Sequence, residues 1–170
     1  HAGQFREALH DFNRALDLDP RNPRTLQLRG ALFVRTGQHQ RALADLGRAL
    51  EIDPRYVEAL GPRCVVLMRL DRLDEALADC ELALELKPGD IDHSISLGMV
   101  WALRGDGTRA ERHYRRALQI DPASAAAHYQ YAVLLRGLGR REEARQQFSA
   151  ACAARVPAAC AAGEQLKAAR

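Results

Sequence analysis

The chain has 170 residues, 47% of them hydrophobic and 28% charged, with a formal net charge of +3 at pH 7. This composition suits a soluble chain long enough for a continuous core. No apolar run approaches membrane-spanning length and no signal peptide opens the sequence. The mild basic bias is almost all arginine, since Lys87 and Lys167 are the only lysines.

Apolar residues near i, i+3, i+4 and i+7 predict amphipathic helices along the whole chain. In order these fall near 5–18, 23–36, 39–52, 57–70, 73–86, 91–104, 107–120, 125–138, 141–154 and 157–169. Gly3, Gly37, Gly105 and Gly139 are expected at turns between paired helices, where a left-handed backbone suits glycine. Pro20, Pro54, Pro88 and Pro122 follow second helices and cannot continue them. Asn22-Pro23 is a good helix start, a capping side chain followed by proline at the first helical position. The segment around residue 57 is irregular. Arg55-Tyr56 offers no cap and Gly61-Pro62 falls inside the expected 57–70 helix, which leaves open a tolerated irregularity, a late start near Leu60 or a kink. Asp71 stands where a turn glycine is expected, and aspartate tolerates the left-handed region better than most residues.

The four prolines are spaced 34 residues apart, and the same step joins Ala8, Ala42, Ala76, Ala110 and Ala144. It also joins Ala15, Ala49, Ala83, Ala117 and Ala151. A fixed period of this length means stacked copies of one supersecondary unit. One copy reads Leu26, Gly30, Phe33, Gly37, Ala42, Leu46, Ala49 and Pro54; another reads Gly98, Trp101, Gly105, Ala110, Tyr114, Ala117 and Pro122. Over residues 3 to 155 the chain resembles the tetratricopeptide repeat (TPR) family. The resemblance implies an all-α fold, a right-handed superhelical solenoid of antiparallel helix pairs. It would hold about four full repeats, an N-terminal half repeat and a C-terminal capping helix. The expected division is 1–20 for the second helix of a truncated first repeat, then 21–54, 55–88, 89–122 and 123–156, with 157–170 as the cap of one solenoid domain. His1-Ala2-Gly3 matches the turn of a repeat, so the chain reads as a fragment of a longer array.

Cys64 and Cys80 sit at packing positions and read as small buried hydrophobes. The segment from Phe148 to Cys160 resembles the bridging segment of cysteine-rich, Sel-like bacterial solenoids, which tie consecutive helices by a disulfide. That likeness implies a possible Cys152–Cys160 bridge. Only one such pair occurs rather than one per repeat, so two free thiols remain the alternative. Free thiols fit a soluble, cytoplasmic chain; a bridge would imply a periplasmic or exported one.

Phosphate-loop and H-E-x-x-H motifs are missing, and no C-x-x-C pair supports a zinc ribbon, so no enzyme, cofactor or metal site is expected. Asp90, Asp92 and His93 cluster at a helix start, where acidic residues cap and complement the dipole. Arg109, Arg112, His113, Arg115 and Arg116 form the densest basic stretch and read as an outward, solvated face.

In the resembled family the first helices line a concave groove. Projecting i, i+3, i+7 and i+10 gives Arg24, Gln27, Ala31 and Val34, then Glu58, Gly61, Val65 and Met68, then Asp92, Ile95, Met99 and Ala102, then Ala126, Tyr129, Val133 and Arg136. The expected peptide-binding floor is Arg24, Gln27, Ala31, Val65, Met68, Ile95, Met99, Tyr129, Val133 and Arg136, with Arg69 beside them. Methionines suit irregular partners, and Tyr129 offers an amphipathic contact. The competing reading buries Met68, Met99 and Ile95 between adjacent units. The family's clamp for acidic chaperone tails needs lysine and asparagine where Glu58, Gly61, Pro62, Val65, Gln27 and Ala31 stand, so that subtype is rejected. The expected function is a non-catalytic scaffold binding a partner protein, peptide or helix in the groove. The alternatives are self-association through the open N-terminal end and single-stranded RNA binding. Glu58, Asp92 and the apolar floor argue against RNA.

Overall fold

The structure, a computed structural model, describes residues 2–168. Among these residues the chain forms ten α-helices and no strand. They are α1 (Ala2–Leu18), α2 (Pro23–Arg35), α3 (His39–Ile52), α4 (Val57–Arg69), α5 (Leu73–Leu86), α6 (Ile91–Leu103), α7 (Gly107–Ile120), α8 (Ala125–Gly137), α9 (Arg141–Ala153) and α10 (Pro157–Ala168). The array divides into two compact units, one ending at Pro88 and the other beginning at Gly89.

The starts and stops follow from local chemistry. Asn22, Asp90 and Ser124 cap α2, α6 and α8, each side chain accepting from the backbone N–H three residues on. Gly37, Gly105 and Gly139 take positive φ in the turns that join helix pairs, and Asp71 takes the same conformation at φ 58°. Each of these turns closes with the same bond, from the residue after the left-handed one back across the helix end. Examples are Gln38 N–H to Phe33 O and Arg72 N–H to Leu67 O, both 2.9 Å.

One local expectation is corrected and one open alternative falls. Gly3 lies inside α1 rather than at a turn; His1 and the expected helical residue 169 lie outside the described residues. The helix α4 starts at Val57, as its placement near 57–70 expected, and the alternative of a late start near Leu60 does not occur although Tyr56 supplies no side-chain cap. Burial of Val57, Ala59 and Leu60 in the unit's core outweighs the donor that Pro62 removes in the second turn.

Within each helix pair, positions 16 residues apart meet at the closest approach. An added Cβ on Gly30 would stand 2.8 Å from Leu46 Cγ, and one on Gly98 would stand 2.7 Å from Tyr114 Cε1. Ala132 and Phe148 hold the corresponding places in α8 and α9, both fully buried. Each copy thus fills a fixed gap with one small and one large side chain. The α4–α5 pair uses another solution. Cys64 and Cys80, with Cα atoms 5.7 Å apart, are joined by a disulfide. They are buried, as their positions require, but they are not free thiols. The approach distance that elsewhere admits glycine opposite leucine or tyrosine lies within the range a disulfide spans.

One residue earlier in the same register, the first unit carries buried ion pairs. Arg29 donates Nε and Nη2 to the Asp45 carboxylate at 2.6 and 2.7 Å, and Arg63 binds Asp79 the same way at 2.7 Å twice. The hydrogen bonds to Asp45 and Asp79 raise the pKa of each guanidinium, against the opposing effect of burial. In the second unit those places hold Leu97 and His113, then Tyr131 and Gln147. Its polar network centres instead on Glu111, which accepts from the Tyr131 hydroxyl at 2.6 Å and from Arg140 at 2.6 Å.

Candidate functional site

The second unit carries an apolar hollow of about 390 Å³ between α6, the start of α7 and α8. Its walls are Met99, Ala102 and Leu103 from α6, Gly105, Gly107 and Tyr114 around α7, and Gln130, Val133, Leu134, Gly137 and Leu138 from α8 and its cap. Leu103 and Leu138 stand on its rim, 57% and 50% exposed. Two large aliphatic side chains left in water beside a cavity are more informative than scattered apolar atoms.

The repeat register explains why the hollow forms here. At the column occupied by Leu103 and Gly137, the earlier copies carry Arg35 and Arg69. At the column of Ala102, they carry Val34 and Met68, so alanine leaves room. At the column of Gly107, the other copies carry Phe5, His39, Leu73 and Arg141. An added Cβ on Gly107 would stand 3.1 Å from Leu138 Cδ2, so the missing side chain is what lets Leu138 fold toward the turn. Three substitutions in register turn a charged, filled end of the helix pair into an open apolar one.

The expected groove residues separate into three groups. Met99 and Val133 line the hollow. Arg24, Arg69 and Arg136 are exposed, while Gln27, Ala31, Val65 and Tyr129 are half-buried. Tyr129 stands edge-on to Phe148 at 5.9 Å, and the Arg136 guanidinium lies 5.6 Å from the centre of the same ring. Met68 and Ile95 are 9% and 6% exposed, and Ile95 belongs to the core cluster of the second unit, so packing occupies both. The projection missed Leu103, Gly105, Gly107, Tyr114, Gln130, Leu134, Gly137 and Leu138. The legible signal was the replacement of Arg35 and Arg69 by Leu103 at an exposed column.

The other polar clusters have structural partners. Asp90 caps α6 by accepting from His93 N–H at 3.1 Å. In the basic stretch, Arg109 pairs with Asp106 and lies 4.3 Å from the Trp101 ring centre, while Arg115 pairs with Glu111 at 2.7 Å. His113 is half-buried, and desolvation followed by the charges of Arg116 and Arg112 lowers its pKa. Burial opposes ionisation of Glu111, yet the hydrogen bonds from Arg140 and Tyr131 outweigh it and hold its pKa below the ordinary carboxylate value. Cys152 and Cys160 also form a disulfide, joining α9 to α10 across a turn in which Arg155 adopts φ 62°. Among the described residues, no helix is long and apolar enough to cross a membrane.

A family profile described as "Tetratricopeptide repeat" matches residues 33–94 and 102–169, and a second with the same description matches residues 2–56. The chain belongs to the tetratricopeptide repeat family. Solved TPR structures share its fold. A thermophilic TPR protein of Thermus thermophilus superposes with a TM-score of 0.77 at 24% identity, covering 98% of this chain and 91% of its own. MamA (from residue 41) of Desulfovibrio magneticus RS-1 gives 0.78 at 19% identity, covering 89% and 85%. YrrB, described as a TPR protein with an unusual peptide-binding site, gives 0.69 at 23% identity, covering 92% and 82%. No protein of curated function matches the sequence.

Proposed function

We propose that this TPR chain is a non-catalytic interaction scaffold, and that the hollow between α6 and α8 receives an apolar anchor from a partner peptide or helix. The observation that carries this reading is the pairing of an apolar cavity of about 390 Å³ with two half-exposed leucines at its mouth. A volume of that order accommodates one or two large side chains, and Gln130 supplies one polar group to orient a backbone. The peptide-binding site reported for YrrB, on the same fold, supports the reading. Two disulfides and no free cysteine among the described residues support action in an oxidising, periplasmic or exported setting.

The test is selection of peptides from a displayed library on the immobilised chain, followed by anisotropy measurements with Leu103→Asp/Leu138→Asp. Burial of a leucine-sized anchor contributes about 1.5–3 kcal/mol, so affinity should fall roughly tenfold to a hundredfold. The thermal melt should stay unchanged, because both leucines are half in water. Peptides that bind the double variant as tightly as the parent would remove the hollow from the function.

A further inference from the structure

The two disulfides differ in what surrounds them. Cys64 and Cys80 are fully buried between α4 and α5. Cys152 and Cys160 are only partly covered, and both line a surface depression of about 130 Å³ with Phe148, Ser149 and Gly163. Exchange requires a thiolate to reach a disulfide sulfur, so access separates the two bonds.

The helix behind the accessible bond is lightly held. α10 has 12 residues and packs on α9. Its buried side chains are the methyl groups of Ala159 and Ala162, with Leu166 partly covered. Gly163 faces Phe148, where an added Cβ would lie 3.6 Å from the Phe148 Cβ. A helix this short is marginal in water by itself, and two methyl groups contribute little burial. Beneath it, Phe148 is completely buried.

We infer that α10 is a redox-latched cap over Phe148, closed while Cys152–Cys160 is oxidised and released when a dithiol reduces that bond. The thiolate of the dithiol attacks one sulfur, and the other leaves as a thiolate that takes a proton from water. The second thiol of the reagent resolves the mixed disulfide. Two electrons and two protons pass to the chain, which gains two thiols, and the reagent leaves as its own disulfide. Cys64–Cys80 stays closed under the same conditions, so the helix pairs persist, the Phe148 ring stays packed against α8, and the side of α9 around the Phe148 Cβ is uncovered.

The experiment titrates the oxidised full chain with dithiothreitol, traps thiols with a maleimide for mass spectrometry, and follows amide hydrogen exchange. Cys152 and Cys160 should label at lower dithiothreitol than Cys64 and Cys80. Exchange in residues 157–166 should rise on the order of 80-fold, the loop-closure effect for a ring of about nine residues, while α2–α9 keep their protection. The variant Cys152→Ser/Cys160→Ser should show the same fast exchange without reductant. Labelling of Cys64 and Cys80 at the same dithiothreitol concentration would overturn the inference. So would protected α10 amides in the reduced chain or in the serine variant.

Discussion

Replacing Cys64 and Cys80 by alanine probes the one helix pair whose close approach is covalent. The bond closes a ring of about 17 residues between α4 and α5, and the chain-entropy relation gives about 3 kcal/mol for a ring of that size. Both side chains are fully buried, so removing two sulfur atoms adds a small cavity cost of about 1 kcal/mol each. The total, about 5 kcal/mol, is comparable to the whole stability of many domains. It should therefore appear as selective melting of the unit that contains α1–α5. Cys64→Gly/Cys80→Leu copies the Gly30–Leu46 pairing and fills the gap without a bond, so it should recover the cavity part but not the ring-closure part. Calorimetry on oxidised protein, with hydrogen exchange to locate the loss, distinguishes the three chains. Equal melting of the alanine variant and the parent would refute the assignment of a stabilising bond. Complete recovery by the glycine–leucine variant would refute the ring-closure share.

Gly98→Ala places a methyl group 2.7 Å from the buried Tyr114 ring, so overpacking should cost about 1–3 kcal/mol in urea denaturation of the second unit. Asp45→Ala leaves the Arg29 guanidinium largely buried with only its bond to Asn13. It should cost about 3 kcal/mol, the lower end for a broken buried pair, whereas Arg29→Met/Asp45→Leu should be nearly neutral by the same assay. The Glu111 carboxyl has a folded pKa below its unfolded value. Its contribution is therefore present above about pH 4.3 and lost as pH falls through the folded pKa. Acid unfolding curves should show that slope in the parent and a shallower one in Glu111→Gln.

The helices were legible because the repeat states each boundary several times. Left-handed turn residues, prolines and caps recur at one spacing, and the observed ends fall within a residue or two of the expected ones except at α1. Helix α4 starts at Val57, as the repeat spacing placed it; the late start weighed on account of Pro62 does not occur, because burial of Val57 and Leu60 prevails over that local rule. The Cys64–Cys80 bond was hidden because a cysteine at a packing column reads as a small apolar residue. Only the 16-residue spacing shared with Gly30–Leu46 and Gly98–Tyr114 shows that the two positions meet. The candidate site was half legible. Projection onto a helix face found Met99, Ala102 and Val133, but it counted side chains that are present. The hollow depends on what is missing at Ala102, Gly107 and Gly137, and that becomes visible only by comparing columns across copies.

The most direct measurement of the binding proposal is a methyl NMR titration of the second unit's leucines, valines and methionine with a selected peptide. Shifts should concentrate on Met99, Leu103, Val133, Leu134 and Leu138, and vanish in Leu103→Asp/Leu138→Asp. Perturbations that leave the methyl groups of those five residues still and gather elsewhere on α7 and α9 would contradict it.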